Sequence, residues 1–285
     1  MLQLWFPARN DCLESVVVIK NAKLMTKAIF LDIDGTLVSF KTHRIPQSTI
    51  DALVEAHKRG VKIFIATGRP TVIINNLGSL QELNIIEGYA AMNGAYCFVG
   101  DQVLHKSAIL PEEVKAIATV CRKRHYACIF VHEKSIFAYQ INDELRSIFY
   151  DHLHVDHIPE VSFEEAIQGE ILMVTPFMTA EQEHEILPLV SHCEIGRWHP
   201  AFSDISGAGN TKQHGIDILI RHFGIDLKDT MSFGDGGNDI SMLRHAGIGI
   251  AMGNANDHVK SFADYVTTSV DEDGIANALK HFGII

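Results

Sequence analysis

A chain of 285 residues with 47% hydrophobic side chains and a mean hydropathy of +0.09 has enough apolar surface for a sizeable core, in one large domain or two modest ones. A formal net charge of −11 and a pI near 5.8 argue against nucleic acid or an anionic membrane surface as partner, since either selects a basic face. Five scattered cysteines, Cys12, Cys97, Cys121, Cys128 and Cys193, form no C-x-x-C pair, which argues against a zinc ribbon or disulfide framework and points to a reducing cytoplasm.

In chain order, residues 1 to 25 stand apart as an N-terminal extension with no assigned function. Its apolar run Val16-Val17-Val18-Ile19 follows Arg9, Asp11 and Glu14, where a signal peptide needs an apolar core, so neither an export signal nor a membrane span is expected. Ala28 to Leu31 reads as a buried strand, and it ends in Phe30-Leu31-Asp32-Ile33-Asp34-Gly35-Thr36-Leu37. Gln47 to Arg59 predicts an amphipathic helix with Ile50, Leu53, Val54 and His57 near one face, stopped by Gly60. Val61 to Ala66 is a second apolar strand, and strand, helix, strand in this order is a βαβ unit with parallel pairing. Thr67-Gly68-Arg69 therefore falls at the same sheet edge as Asp32.

The stretch 110 to 204 has another texture. Pro111, followed by Glu112 and Glu113, opens a helix; Cys128 to His132 and Ile136 to Ile141 alternate like strands, and Ser162 to Ile167 and Ala180 to Val190 read as acidic helices. After it, Ile216 to Phe223 is helical, Thr230 to Phe233 is a strand ending in Gly234-Asp235-Gly236-Gly237-Asn238-Asp239, and Ile248 to Ala251 is a strand ending in Met252-Gly253-Asn254. Asn254 to Asp257 reads as a helix start. The pattern predicts an α/β fold: a Rossmann-like three-layer core with a mainly parallel sheet over 26–109 and 205–285, plus an inserted α/β cap over 110–204.

Two carboxylates two residues apart cannot both sit inside a packed strand, so Asp32 and Asp34 belong at its end, where Gly35 permits a tight turn and Thr36 offers a hydroxyl. A divalent cation and a phosphate suit such a turn. A calcium loop needs further oxygen ligands and a Glu about 12 residues from its start, and neither follows. Thr67 supplies a hydroxyl, Gly68 a close backbone approach, and Arg69 a fork for phosphate or other substrate oxygens. Asp235 offers the carboxylate oxygen that magnesium prefers.

These segments, with Lys212 in Gly209-Asn210-Thr211-Lys212, resemble the four motifs of the haloacid dehalogenase-like phosphohydrolases, in family order from about Thr26 to Ile285. Met92-Asn93-Gly94-Ala95, Asp273-Gly274 and the position of the insert look like the Cof-type branch with the larger α/β cap, close to bacterial hexose-phosphate phosphatases. The resemblance implies Asp32 as nucleophile, Asp34 as general acid/base, and Thr67 and Lys212 as catalytic partners. It implies magnesium held by Asp32, Asp34 through its backbone carbonyl, Asp235 and, from behind, Asp239. Gly35, Gly68, Arg69, Asn93 and Asn238 are the implied contacts to substrate or phosphate. A phosphate near −2 meeting ionised Asp32 and Asp235 at about 4 Å is opposed by on the order of 4 kcal/mol per contact at an effective dielectric of 20, so a cation is needed. The expected function is magnesium-dependent hydrolysis of small phosphorylated metabolites, above all sugar phosphates, through an aspartyl-phosphate, with no nucleic-acid, membrane or obligate protein partner.

Two other readings stand beside it. A phosphomutase shares the first half-reaction, and a phosphorylatable signalling module uses the same Asp, Thr and Lys without turnover. His152, His154 and His157 lack a fourth spaced ligand and read as surface groups rather than a zinc site. Asp271-Glu272-Asp273-Gly274 reads as capping chemistry, and Arg197, Trp198 and His199 divide between packing and facing a sugar.

Overall fold

The computed structural model describes residues 26–285; the expected N-terminal extension lies outside them. The chain begins with β1 (Ala28–Leu31), α1 (Gln47–Lys58), β2 (Lys62–Ala66), β3 (Ile86–Ala91) and the hairpin β4 (Tyr96–Val99) and β5 (Gln102–Lys106). Next come α2 (Pro111–Arg124) and β6 (Cys128–Val131), β7 (Ile136–Tyr139), β8 (Met173–Pro176), β9 (Cys193–His199) and β10 (Phe202–Gly207). The final stretch holds α3 (Lys212–Phe223), β11 (Thr230–Gly234), α4 (Ile240–His245), β12 (Ile248–Ala251), β13 (Tyr265–Val266) and α5 (Gly274–His281).

Eight strands form the main sheet in the order β13-β12-β11-β1-β2-β3-β4-β5. From β13 to β3 every pairing is parallel, and the β4–β5 hairpin adds an antiparallel edge. β1 is buried on both faces, which is why its sequence is continuously apolar rather than alternating. Ile29 and Leu31 face a cluster completed by Leu53 of α1 and Ile275 and Leu279 of α5. Ala28 and Phe30 face the opposite cluster, with Ile216 and Leu219 of α3 and Met242 of α4. Phe30 stacks on Phe64 with ring centroids 4.8 Å apart, and each such fully buried side chain stabilises the fold by roughly 1.5–3 kcal/mol. The three-layer expectation holds.

The second sheet, inserted between β5 and α3, runs β7-β6-β8-β10-β9 and is wholly antiparallel. The expected boundary after residue 204 falls inside β10, because Ile205, Ser206 and Gly207 still pair with β9. Two helix readings also change. In α1 the buried residues are Thr49, Ala52, Leu53 and Ala56, with Ile50 and Val54 only flanking the core; small side chains turn inward where α5 packs close. Ala180 to Val190 forms two 3-10 turns, Ala180–Glu185 and Leu187–Leu189, because Pro188 lacks the N–H an α-helix needs. Among the described residues no helix is long and apolar enough to cross a membrane.

Candidate active site

Parallel register builds the site. Leu31 lies opposite Phe233 on one side and Ile65 on the other, so the next residues of all three strands emerge together at the carboxyl edge. Asp32, Asp235 and Thr67 are thereby neighbours although the chain separates them widely. The Asp32 backbone N–H donates to the Phe233 carbonyl at 3.1 Å, and its side chain is buried.

Gly35 makes the acid turn possible. Its φ is +82°, and a Cβ placed there would stand 2.2 Å from Asp235 Oδ2. Thr36 Oγ1 donates to Asp235 Oδ1 at 3.0 Å, so the hydroxyl expected beside the acids orients the Asp235 carboxylate. Asn254, read from sequence only as part of a helix start, donates to the Gly35 carbonyl at 2.8 Å and to Asp235 Oδ2 at 3.1 Å. The helix there begins later, at Asp257, capped by Asn256. A signal for Asn254 existed, since Met252-Gly253-Asn254 follows a strand at the same sheet edge.

Lys212 opens α3, with Thr211 as its cap. Gly215, one turn on, brings α3 so near β3 that an added Cβ would stand 2.5 Å from Ala90 Cβ. This close packing delivers the fully buried Lys212 Nζ to 2.5 Å from both Asp32 Oδ1 and Asp239 Oδ1. The other Asp239 oxygen accepts the N–H groups of Asp235 and Gly236 at 2.9 and 2.8 Å, so Asp239 is engaged on both sides.

Arg69 departs from the expectation of a fork left open for phosphate. Its Nε and Nη2 donate to Asp34 at 2.7 and 2.8 Å, and Nη1 donates to the Ile73 carbonyl. Burial favours this pairing, since a guanidinium this enclosed needs a carboxylate partner. Thr67 Oγ1 accepts the Arg69 N–H, and Asn238 Nδ2 donates to Asn93 Oδ1 at 3.0 Å beside Gly68. All the expected site residues thus gather at one edge: Asp32, Asp34, Gly35, Thr67, Gly68, Arg69, Asn93, Lys212, Asp235, Asn238 and Asp239.

From the second sheet, Asp204 enters the same cleft, receiving Thr175 Oγ1 at 2.8 Å and Trp198 Nε1 at 3.1 Å. Nothing in its sequence neighbourhood marked it. Trp198 packs edge-on against Phe202 while holding this bond, which is the packing alternative, and its ring also lines the cleft. Arg197 turns to Glu183 and Ser203. Asp271 accepts from Ser39 and Asp273 from Ser48, and the helix at Gly274 has no side-chain cap from Asp273.

Electrostatically the site is overcharged. Burial, then the Asp239 charge, holds Asp32 well above the usual carboxylate range, and the same two causes push Asp235 up to about 7. Burial lifts Asp204 to about 6. Burial alone would lower Lys212, but the Asp239 and Asp32 charges overcome it and hold the ammonium protonated. Oxygens of Asp32, Asp235 and Asp239 lie within 4.8 Å of one another, with Lys212 the cation bonded among them. Those donors are hard oxygens, and three carboxylates converge with a single ammonium bonded to two of them, so a divalent cation fits. Among the described residues this is the carboxylate, imidazole or thiolate group that converges on one point; His152, His154 and His157 form none.

The sequence profile of the haloacid dehalogenase-like hydrolases matches residues 29–279, and the chain belongs to that family. It is similar to the solved structure of the subclass IIB sugar phosphatase BT4131, with 64% identity and a TM-score of 0.89 over 91% of this chain and 100% of that one. Another solved structure, BT1666 from Bacteroides thetaiotaomicron, is 37% identical with a TM-score of 0.82, covering 92% and 96%. The pyridoxal phosphate phosphatase YbhA of Escherichia coli (strain K12) is 28% identical over 272 residues, 89% of this chain and 97% of that protein.

Proposed function

We propose that the chain is a magnesium-dependent phosphatase acting on small phosphorylated metabolites, with sugar phosphates as the substrate class, through an aspartyl-phosphate on Asp32. The observation that carries this reading is the division of labour between two acids two residues apart: Asp32 is held by Lys212 and Asp34 by Arg69. Likeness to a sugar phosphatase at 64% identity supports the substrate class.

In the first step an Asp32 oxygen attacks phosphorus while the bond to the alcohol breaks on the opposite side. Asp34, protonated, gives its proton to the departing alkoxide, so the alcohol leaves neutral. In the second step the Asp34 carboxylate takes a proton from water, the water oxygen attacks phosphorus, and the bond to Asp32 breaks, regenerating the carboxylate. Lys212 balances the charge on Asp32, while Asn93, Asn238 and the Gly68 backbone contact the phosphoryl oxygens. Asp32, Asp235 and the Asp34 carbonyl, with Asp239 orienting the set, would hold a magnesium ion, which would supply charge screening between phosphate and the acids. The inserted second sheet acts as a cap that shields the cleft from bulk water.

Phosphate release from glucose 6-phosphate, with and without magnesium, tests the reading. Release that needs the metal and falls by at least about 10⁴-fold in Asp32→Ala is expected. Isomerised sugar without free phosphate, or a stable phosphoprotein without turnover, contradicts it.

A further inference from the structure

The cleft continues past Asp34 and Arg69 into a groove lined by Phe40, His43, Asn75, Asn76, His152 and His154. The two ends differ in chemistry. Above the acids, the second sheet and its neighbours present Ile129, Val131, Phe149, Met173 and Trp198. The donors there are engaged, since Thr175 and Trp198 both donate to Asp204. A polyol entering that end meets mostly apolar walls and only the remaining acceptor capacity of Asp204 and Thr175.

The groove beside Asp34 is the opposite case. His43, from the segment after the acid turn, meets His154 with ring centroids 4.2 Å apart, and His152 stacks on Phe40 at 5.4 Å. His43 and His154 both hold a left-handed backbone, φ 53° and 50°, which a non-glycine residue keeps where its surroundings impose it. Asn76 carries a buried Oδ1 that meets no donor within the described residues. All three imidazoles are solvent-exposed, so the groove is accessible from the cleft mouth.

Its charge selects among ligands. Arg69 is the one lining side chain among the described residues with a permanent positive charge, and it is committed to Asp34 and Ile73. A second phosphate therefore finds no free cation. A metal is equally unsuited, because among the described residues only Asp32, Asp235 and Asp239 converge. Imidazoles and amides, which both donate and accept, match a neutral polyol.

We propose that this groove is the sugar subsite: the leaving alcohol runs from phosphorus past Asp34, with Asn76 Oδ1 accepting from one hydroxyl and the imidazoles of His43, His152 and His154 pairing with others. This rests on the phosphatase reading above and adds which end of the cleft recognises the alcohol. The test compares wild type, Asn76→Leu and His152→Ala on glucose 6-phosphate, p-nitrophenyl phosphate and fructose 1,6-bisphosphate. Each variant is expected to raise KM for glucose 6-phosphate on the order of 10-fold and to leave kcat/KM for the aryl phosphate within about twofold. Asn76→Leu is also expected to keep or raise the thermal midpoint, because it removes an unpaired acceptor; a purely structural role for Asn76 lowers it. Equal losses on both monoesters, an unchanged KM for the sugar, or a wild-type preference for the bisphosphate overturns the subsite. Wild-type turnover of the aryl phosphate alone refutes the subsite and spares the phosphatase, whereas turnover of none of them refutes both.

Discussion

Arg69 holds Asp34 through two parallel hydrogen bonds, Nε to Oδ2 at 2.7 Å and Nη2 to Oδ1 at 2.8 Å, while its third nitrogen is tied to the Ile73 carbonyl. A fork anchored at its far end fixes both oxygens of the acid, which a point-charge ammonium cannot do. Arg69→Lys is therefore expected to lower kcat by roughly 10- to 100-fold with a smaller change in KM. Steady-state kinetics on one substrate at saturating magnesium checks this; a change confined to KM would assign Arg69 to substrate binding instead.

Gly35→Ala tests the acid turn. A methyl group there meets Asp235 Oδ2 at 2.2 Å in a backbone of φ +82°, so either the turn or the carboxylate must move. The expected outcome is a stability loss of at least about 1 kcal/mol in denaturant titration together with weakened magnesium dependence of activity. Unchanged stability and activity would show that the turn relaxes without consequence.

Lys212→Met leaves Asp32 and Asp239 buried without the ammonium they share. Removing one partner of a buried ion pair costs about 3–5 kcal/mol, so metal-free Lys212→Met is expected to be destabilised by that order at neutral pH. Asp32, which burial already holds above the usual carboxylate range, then loses the ammonium that favours its charged form, and a raised carboxylate contributes stability at low pH that disappears as pH rises. The deficit should therefore shrink on acidification; a constant deficit would mean that the loss is packing rather than charge.

Asp204 gives a titration away from the acid cluster. Burial lifts it from the ordinary 3.8 to about 6, so the folded protein binds its proton more tightly than the unfolded chain. Stability from this group is fully present below about pH 4 and is lost as pH rises through about 6, a difference on the order of 3 kcal/mol. Comparing unfolding free energies of wild type and Asp204→Asn across that window should show a steeper slope in wild type, the difference between the two curves falling by that amount; parallel curves would contradict it.

The core was legible because its strands are continuous apolar runs that end in polar clusters: Asp32, Thr67 and Asp235 each follow from that rule plus parallel register, while Lys212, at the start of a helix, rested on the family resemblance alone. Local pattern could not show where a side chain spends its hydrogen bonds. Arg69 reads as a free fork in sequence and is bound to Asp34 in the fold, and Asn254 reads as the beginning of a helix yet ties the acid turn to Asp235. His43 meets His154 across more than a hundred residues of chain, and Asp204 reaches the cleft from the second sheet to lie beside Gly68, so no spacing marks them. The Ala180 to Val190 reading failed for a local reason that Pro188 already displayed.

Covalent chemistry at Asp32 is settled by acid-quenching the enzyme within one turnover of a sugar phosphate in magnesium and locating phosphoryl groups by peptide mass. A phosphoryl group on Asp32, absent in Asp32→Asn and accumulating when Asp34→Asn slows its hydrolysis, is the expected result. Phosphate released at the normal rate with Asp32 never modified, or undiminished turnover by Asp32→Asn, would contradict a nucleophilic role for this carboxylate.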